Sequence, residues 1–237
     1  MKIIDIHHPD TFELALEAIQ QRPIIVQLPT VFVLMAAPTT KGAAQLNQTK
    51  HRLPGKNYGT AIGSLPKFIA QALPESLPEA FTQPEDFVKM TGTFIRVQFR
   101  NHHFQSTTVL NGTHQGLLLD GIYAALFKAM ERSFATAAPD ALWDYHNYNA
   151  PLCTSCNISG DPAGSITDLP RAMHFAKEHG IPLFIQGEPA PQELGSYPIF
   201  GYEKHRVTIH REGPNLAYFK EKIPLHLRSW ERTEYLH

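Results

Sequence analysis

The sequence has few cysteines, no long apolar run and no excess of charge of either sign. Two cysteines in 237 residues are too few for a disulfide framework, which favours a reducing, cytoplasmic location. Lysine and arginine number 21 against 22 aspartates and glutamates, so the formal net charge is -1. This balance excludes a strongly basic nucleic-acid binder, and any such role would need a local patch.

The same scarcity applies to apolar segments. No stretch of about 18 apolar residues is present to span a bilayer, so we expect no membrane partner. The first residues lack the apolar segment of a secretory signal, so we expect no signal peptide; they read MKIIDIHHPDTFE.

What the sequence does contain is enough apolar material for a packed core, at 43% hydrophobic residues. Helical patterns cover 9–23, 40–52, 121–134 and 166–180, the last interrupted by Pro170 and closed by Gly180; strand patterns cover 24–28, 31–37, 59–64, 93–99, 150–155, 181–187, 197–203 and 206–210. This alternation predicts an α/β (or α+β) fold with helices packed on a mixed sheet. The proline-rich segment 73–86 is interpreted as a surface loop rather than a linker.

Both cysteines lie in one C-x-x-C pair, Cys153 and Cys156. A structural zinc site needs four ligands, and no H-x-x-x-H spacing follows closely to complete the set. Thioredoxin-like chemistry would place Cys153 at the N-terminus of a helix, whereas here it ends a predicted strand. We therefore expect two small buried residues and no metal site, with metal or redox chemistry as the third-ranked hypothesis.

Small polar residues surround this pair and form the sharper signal. They are Thr154, Ser155, Asn157 and Ser159, with Gly160 beside them. Ser165 and Asp168 have the spacing of a capping box for the next helix. A strand, such a loop and a helix N-terminus together expose backbone N–H groups suited to phosphate. An ordinary capped loop is the alternative, and this segment alone leaves both open.

A cluster of cations lies about a hundred residues earlier. Lys50, Arg52 and Lys56 fall within seven residues around a Pro54-Gly55 turn. A solvated basic helix end would also explain them, since cations there complement the helix dipole. Together with a phosphate-binding loop, however, they supply the two parts that a nucleotide site needs.

These segments resemble motifs of the YrdC/YciO family, the threonylcarbamoyl-AMP synthases of tRNA modification. Lys50-His51-Arg52 resembles the family's K-x-R, TSCNISG (154–160) its S/T-S-x-N-x-S-G loop, VQLPT (26–30) its first strand with Pro-Thr, and 195–213, with Ser196 and Arg211, its C-terminal strand segment. The four segments also follow the family's order along the chain.

The resemblance implies a domain of the YrdC/RibB type over 1–214, with a twisted mixed β-sheet flanked by helices. Residues 215–237 would be a C-terminal extension that packs on this domain or on a partner chain. The implied reaction condenses ATP, bicarbonate and a small amino acid, threonine in the family, into a carbamoyl-adenylate and pyrophosphate. Mg²⁺ would be carried by the nucleotide.

The resemblance also implies roles for individual residues. Lys50 and Arg52 would be catalytic, because they would neutralise the triphosphate as charge moves onto pyrophosphate. Thr30 would face the amino acid. The nucleotide would be held by Thr154, Ser155, Asn157, Ser159, Ser196 and Arg211.

The sequence departs from the family pattern in its substrate-facing half. The stretch PTVFVLMAA (29–37) lacks the family's acidic residue, second threonine and glycine, and GLLLDG (116–121) lacks the arginine of its V-R-x-P strand. A second hypothesis is therefore a catalytically impaired paralogue that binds a nucleotide or double-stranded RNA. The near-neutral charge argues against strong RNA binding, which depends on neutralising phosphates with Lys and Arg.

Overall fold

Ten strands pair into one mixed sheet in the computed structural model, which describes residues 1–53, 55–189 and 193–231. The strands are β1 (Lys2–Asp5), β2 (Ile24–Gln27), β3 (Phe32–Ala36), β4 (Gly59–Ala61), β5 (Thr93–Gln98), β6 (Thr113–Leu118), β7 (Leu152–Ser155), β8 (Leu183–Gln186), β9 (Ile199–Glu203) and β10 (Arg206–Arg211). Their order across the sheet is β1-β8-β2-β3-β7-β4-β6-β5-β9-β10. Four pairs are parallel (β1–β8, β2–β8, β4–β6, β5–β9) and the other five are antiparallel, which confirms the predicted mixed sheet.

Helices cover both faces of this sheet. They are α1 (Thr11–Gln21), α2 (Thr40–Lys50), α3 (Leu65–Ile69), α4 (Gly121–Ser133), α5 (Leu169–Glu178) and α6 (Leu216–Lys222). One face packs against α2, α3, α5 and α6, and the other against α1 and α4. The amphipathic spacing predicted for α1 is seen directly, because Ala15 and Ile19 are fully buried on one of its sides. None of the helices in the described ranges is long and apolar enough to cross a bilayer.

Several predicted elements need correction. The strands β1 and β6 were not predicted, because β1 has only four residues and the apolar residues of β6 do not alternate cleanly. The helix predicted over 166–180 begins at Leu169, and Pro170 lies in its first turn, where a missing N–H costs nothing. Gly180 follows its end with φ +60°, as predicted.

The proline-rich segment 73–86 runs along the surface, as predicted, although Phe81 within it is buried. It leads into two short 3₁₀ helices, Glu79–Phe81 and Pro84–Met90. Phe81 and Phe87 are fully buried and contact the ring of Tyr202 at centroid distances of 4.8 and 5.0 Å. These two rings therefore anchor the segment to the core beneath β9.

The C-terminal segment packs on the body as far as the structure describes it. Phe219 of α6 is buried against Phe200 of β9, and Arg228 bridges to Val207 of β10. This segment therefore covers the β10 edge of the sheet, which would otherwise expose unpaired backbone groups. The predicted boundary at 214 stays a prediction, and residues 232–237 of the predicted extension lie outside the described residues.

Candidate functional site

A cleft of about 500 Å³ opens on the face of the sheet that carries α1 and α4. Its floor is apolar, because Val33, Phe94, Cys153 and Ile199 belong to the core on that face and also line the cleft. Eight residues predicted from the sequence line it together: Lys50, Arg52, Thr154, Ser155, Asn157, Ser159, Ser196 and Arg211. The structure thus brings the cation cluster and the polar loop to one place.

The cleft is strongly positive. Three more basic residues, Lys56, Arg96 and His210, join Lys50, Arg52 and Arg211 in its wall. Among the described residues that line it, none is an aspartate or a glutamate. A concave surface with five formal positive charges and no carboxylate focuses its field on an anionic ligand.

Lys50 is almost fully buried, at 1% exposure. Its Nζ donates to the backbone oxygens of Ser155 and Asn157, the latter at 2.6 Å, and to Asn157 Oδ1 at 3.3 Å. Burial, reinforced by the neighbouring charge of Arg52, lowers the pKa of Lys50 to about 7. Its three N–H donors are therefore occupied by the loop, and Lys50 acts on a ligand through that loop.

Arg52 is held in a different way. Its Nη2 donates to the backbone oxygen of Asn57 at 2.6 Å, and its guanidinium lies 4.3 Å from the ring centre of Tyr58. Its buried Nε has no hydrogen-bond partner within the described part of the chain. Burial lowers its pKa, yet an arginine stays charged at any physiological pH. A half-buried cation with unused donors is suited to bind an anion.

The turn between these two cations is conformationally specific. Helix α2 ends at Lys50, and His51 adopts the left-handed conformation, with φ +46° and ψ +56°. Its N–H closes the helix on Asn47 and Gln48. The chain direction thus reverses at His51, and the residues on both sides of it line one cleft.

The polar loop is internally bonded. Ser155 Oγ donates to Asn157 Oδ1 at 2.6 Å, and Asn157 Nδ2 donates to the backbone oxygen of Ile158 at 2.8 Å. The backbone N–H of Ser159 donates to the backbone oxygen of Lys50 at 2.8 Å. Gly160 has φ +85°, which ends this tight turn. The loop and the end of α2 are therefore joined by hydrogen bonds into one unit.

The predicted capping box is wrong. Asp168 is itself the N-cap of α5 and accepts from Arg171 N–H at 2.9 Å, whereas Ser165 Oγ lies 2.6 Å from Ser196 Oγ. No described residue of α5 lines the cleft, so the N-terminus of that helix does not supply its positive field. The field comes from side chains instead.

The opposite wall comes from β9 and β10. Arg211 donates through Nε and Nη2 to the Tyr197 oxygen, at 3.0 and 2.7 Å, and lies over the ring of Phe94. A β-bulge between Ile209 and Arg211 breaks the strand alternation, so that His210 and Arg211 both line the cleft. Sequence reasoning did not identify His210. It missed Arg96 too, although a charge inside the apolar strand 93–99 was a usable signal.

Thr30 is not brought to the cleft. It is buried behind the wall, its backbone oxygen accepts from Gly195 N–H at 2.7 Å, and the next residue, Val31, lines the cleft in its place. Its position therefore gives no support to direct contact with a substrate.

Cys153 and Cys156 are both free and buried, and they belong to the cores on opposite faces of the sheet. Burial raises the pKa of each thiol to about 12. Across the described ranges, no group of three or more His, Cys, Asp or Glu side chains could hold a metal ion. The geometry gives no support to a metal or dithiol site at this pair.

Comparison with known proteins supports the fold. No protein family model matches the sequence, and no curated protein sequence is significantly similar to it. Among solved structures, the chain is similar to Sua5 of P. abyssi complexed with L-threonine, with a TM-score of 0.68 and 16% identity, over 96% of this chain and 62% of that one. It is also similar to YciO of E. coli (TM-score 0.63, 14% identity, 92% and 96%).

A third similar structure is full-length HypF in its phosphate- and nucleotide-bound form, with a TM-score of 0.58, 12% identity and coverage of 84% of this chain and 28% of that one. The chain spans less than two thirds of the length of the Sua5 chain. These structures confirm the YrdC-like α/β fold predicted from the resemblance. At identities this low they establish the fold alone.

Proposed function

We propose that this chain is a divergent enzyme of the YrdC type, which condenses ATP, bicarbonate and a small amino acid into a carbamoyl-adenylate and pyrophosphate, in a step linked to tRNA modification. The observation that carries the proposal is the cleft, where the two predicted motifs meet in a positive wall whose described residues include no carboxylate. The similar structures add support, since one is described as complexed with L-threonine and another as nucleotide-bound.

The chemistry needs no covalent enzyme intermediate. The amine attacks bicarbonate carbon, which forms a C–N bond and releases water. A carbamate oxygen then attacks the α-phosphorus of ATP, and the bond between that phosphorus and the pyrophosphate oxygen breaks. Charge therefore accumulates on pyrophosphate, and preorganised cations stabilise such charge most effectively.

The proposed roles follow from how each cation is held. Arg52 and Lys56 would contact the leaving pyrophosphate, because neither is saturated by the protein. Lys50 would fix the loop 155–157 so that its N–H and hydroxyl groups are preorganised. Ser196 and Arg211 would close the opposite side, where Arg211 keeps Nη1 available.

Mg²⁺ would arrive with the nucleotide. Protein sites for this ion usually supply one or two carboxylates besides the phosphates. The described cleft wall supplies none, and Asn157 Oδ1 already accepts from Ser155 and Lys50. The residues present therefore fit a metal coordinated by phosphates and water, whose chemistry would be to neutralise phosphate charge.

A second candidate is a nucleotide-binding protein without turnover. It is favoured by the saturation of Lys50, whose three donors are bound to the loop rather than free for a transition state. This candidate predicts ATP binding without pyrophosphate release.

Two measurements on the full chain separate these candidates. Mg-ATP should raise the thermal midpoint of the wild type, as any ligand of the folded state does. Arg52→Leu should abolish that rise, whereas Arg22→Leu, a change outside this cleft, should not. Pyrophosphate release that requires bicarbonate and one member of an amino-acid panel identifies the enzyme. ATP binding without pyrophosphate release across the whole panel identifies the nucleotide-binding protein without turnover. If ATP does not bind, both candidates are wrong.

A further inference from the structure

Arg96 is a charged residue in the middle of a buried strand. In β5 it pairs with Gln115 of β6 and Gly201 of β9, and its half-buried side chain lines the cleft. Within the described chain it makes one hydrogen bond, from Nε to Thr113 Oγ1 at 2.9 Å. Thr113 in turn donates to the Leu110 oxygen at 2.8 Å, so the partner of Arg96 is itself fixed.

Among the residues that the structure describes, none accepts a hydrogen bond from the remaining donors of Arg96. Its guanidinium is anchored at Nε, which leaves the two terminal nitrogens uncommitted. Placing a charge half out of solvent is costly unless it is paired, and the described cleft wall contains no carboxylate to pair it. Burial accordingly lowers its pKa. A guanidinium that is anchored at Nε and has no carboxylate beside it is expected to bind a ligand that carries the negative charge.

His210 stands next to Arg96 because of Gly201. A Cβ at Gly201 would lie 2.3 Å from His210 Nε2 and 2.8 Å from Thr208 Oγ1, so the ring occupies space that only glycine leaves free. Nε2 lies 3.0 Å from Thr208 Oγ1, which orients the ring. His210 and Thr208 lie on the same side of β10, and the His210 side chain lines the cleft.

An apolar patch borders this pair on the same face. Phe94 and Ile199 are directly opposite each other on β5 and β9, one pleat before Arg96 and Gly201, and both line the cleft. Bicarbonate and inorganic phosphate have no carbon skeleton to cover such a patch. A small organic carboxylate has both an oxyanion and an apolar body.

We propose that Arg96 and His210 form a carboxylate subsite, separate from the cations around Arg52, which holds the organic acid condensed with the nucleotide. The inference rests on the proposed function, because it assigns the second substrate of the same cleft. The two terminal nitrogens of Arg96 would bind both carboxylate oxygens, a geometry that lysine cannot reproduce. Phe94 and Ile199 would contact the carbon skeleton.

The test is calorimetric titration of the full chain with a panel of L-amino acids, and with the carboxamide of the best binder. We expect Arg96→Leu to lower the affinity for the best-binding amino acid by about 30-fold and Arg96→Lys to lower it by about 10-fold. The affinity for Mg-ATP should stay within about twofold of the wild-type value in both variants. The wild type should bind the carboxamide more weakly than the amino acid by a similar factor. Arg96→Leu should bind the carboxamide and the amino acid equally well. Arg100→Leu, an exposed arginine just beyond the same strand, is the matched control and should behave as wild type.

Other outcomes overturn the inference. If Arg96→Leu and the wild type bind the amino acid with equal affinity, the subsite is excluded. If Arg96→Leu lowers the affinity for Mg-ATP as much as the affinity for the amino acid, Arg96 binds phosphate instead. The wild type could instead prefer bicarbonate or inorganic phosphate over every amino acid. If Arg96→Leu removes that preference, Arg96 binds an oxyanion that has no carbon skeleton. If Arg96→Leu fails to fold, Gly201→Ala is decisive, because it displaces His210 and should weaken the amino acid alone. Mg-ATP binding with no amino acid bound refutes this inference and leaves the nucleotide site standing; the reverse refutes the nucleotide site.

Discussion

The ammonium of Lys50 lies 2.6 Å from the backbone oxygen of Asn157, a residue 107 positions later in the chain. This contact joins the end of α2 to the loop after β7, and Nζ also bonds to the Ser155 oxygen. The residue that sequence motifs mark as catalytic is thus the internal support of the polar loop after β7. A buried ammonium of this kind couples the loop to pH.

The pH dependence of stability should reveal that coupling. The pKa of Lys50 is about 7 in the folded chain and near its ordinary, higher value when unfolded, so the unfolded state binds more protons between these values. The free energy of unfolding should therefore rise with pH above about 7, by up to about 1.4 kcal/mol per unit from this group. Urea denaturation at pH 7, 8 and 9 measures it.

Lys50→Met supplies the comparison, since it keeps the stem and removes the titrating group. The difference in unfolding free energy between wild type and Lys50→Met should change with pH over this range, because all other groups titrate alike in both. A constant difference would show that the folded pKa of Lys50 is not lowered.

His51 should tolerate glycine and reject a β-branched residue. Its φ of +46° lies in the left-handed region, which costs L-residues about 1–2 kcal/mol and β-branched ones more. We expect His51→Gly to be as stable as wild type or more so, and His51→Val to lose about 2 kcal/mol or more in urea denaturation. Because this turn sets the positions of Lys50 and Arg52, His51→Val should also lower the affinity for Mg-ATP. Equal stability of both variants would contradict this account.

The sequence was most informative where pattern and position coincide. The alternating strand 93–99 and the periodic helix 121–134 appear nearly as predicted, as Thr93–Gln98 and Gly121–Ser133. Strand β1 has only four residues, three of them exposed, so no apolar pattern marks it. Its place at the edge of the sheet follows from parallel pairing with β8, a contact that local sequence does not encode.

The site shows the same division. Lys50, Arg52 and the loop 154–160 were found because their spacing is local. Arg96 and His210 were not, because they meet only through the pairing of β5 with β9 and of β9 with β10, between residues far apart in the chain. The use of Lys50 as an internal support was equally unpredictable, since a K-x-R spacing is the same whether Nζ contacts a ligand or a backbone oxygen.

The thiols should be unreactive in the folded protein. Burial raises the pKa of Cys153 and of Cys156 to about 12, so the thiolate that reacts with disulfide reagents is scarce at pH 8. We expect slow labelling of the native chain by a chromogenic disulfide reagent and rapid labelling of two thiols in denaturant. Rapid labelling of the native chain would instead support the redox hypothesis.

The C-terminal helix should contribute to stability through Phe219 rather than through its exposed neighbour. Phe219 is 4% exposed and packs against Phe200, whereas Tyr218 is 53% exposed. Truncating a buried phenylalanine removes its burial and leaves a cavity, so Phe219→Ala should cost about 3–5 kcal/mol. Tyr218→Ala should cost less than about 1 kcal/mol, because its surface is already largely in water. Urea denaturation of both variants measures the two costs, and similar values would show that α6 does not pack on β9 in solution.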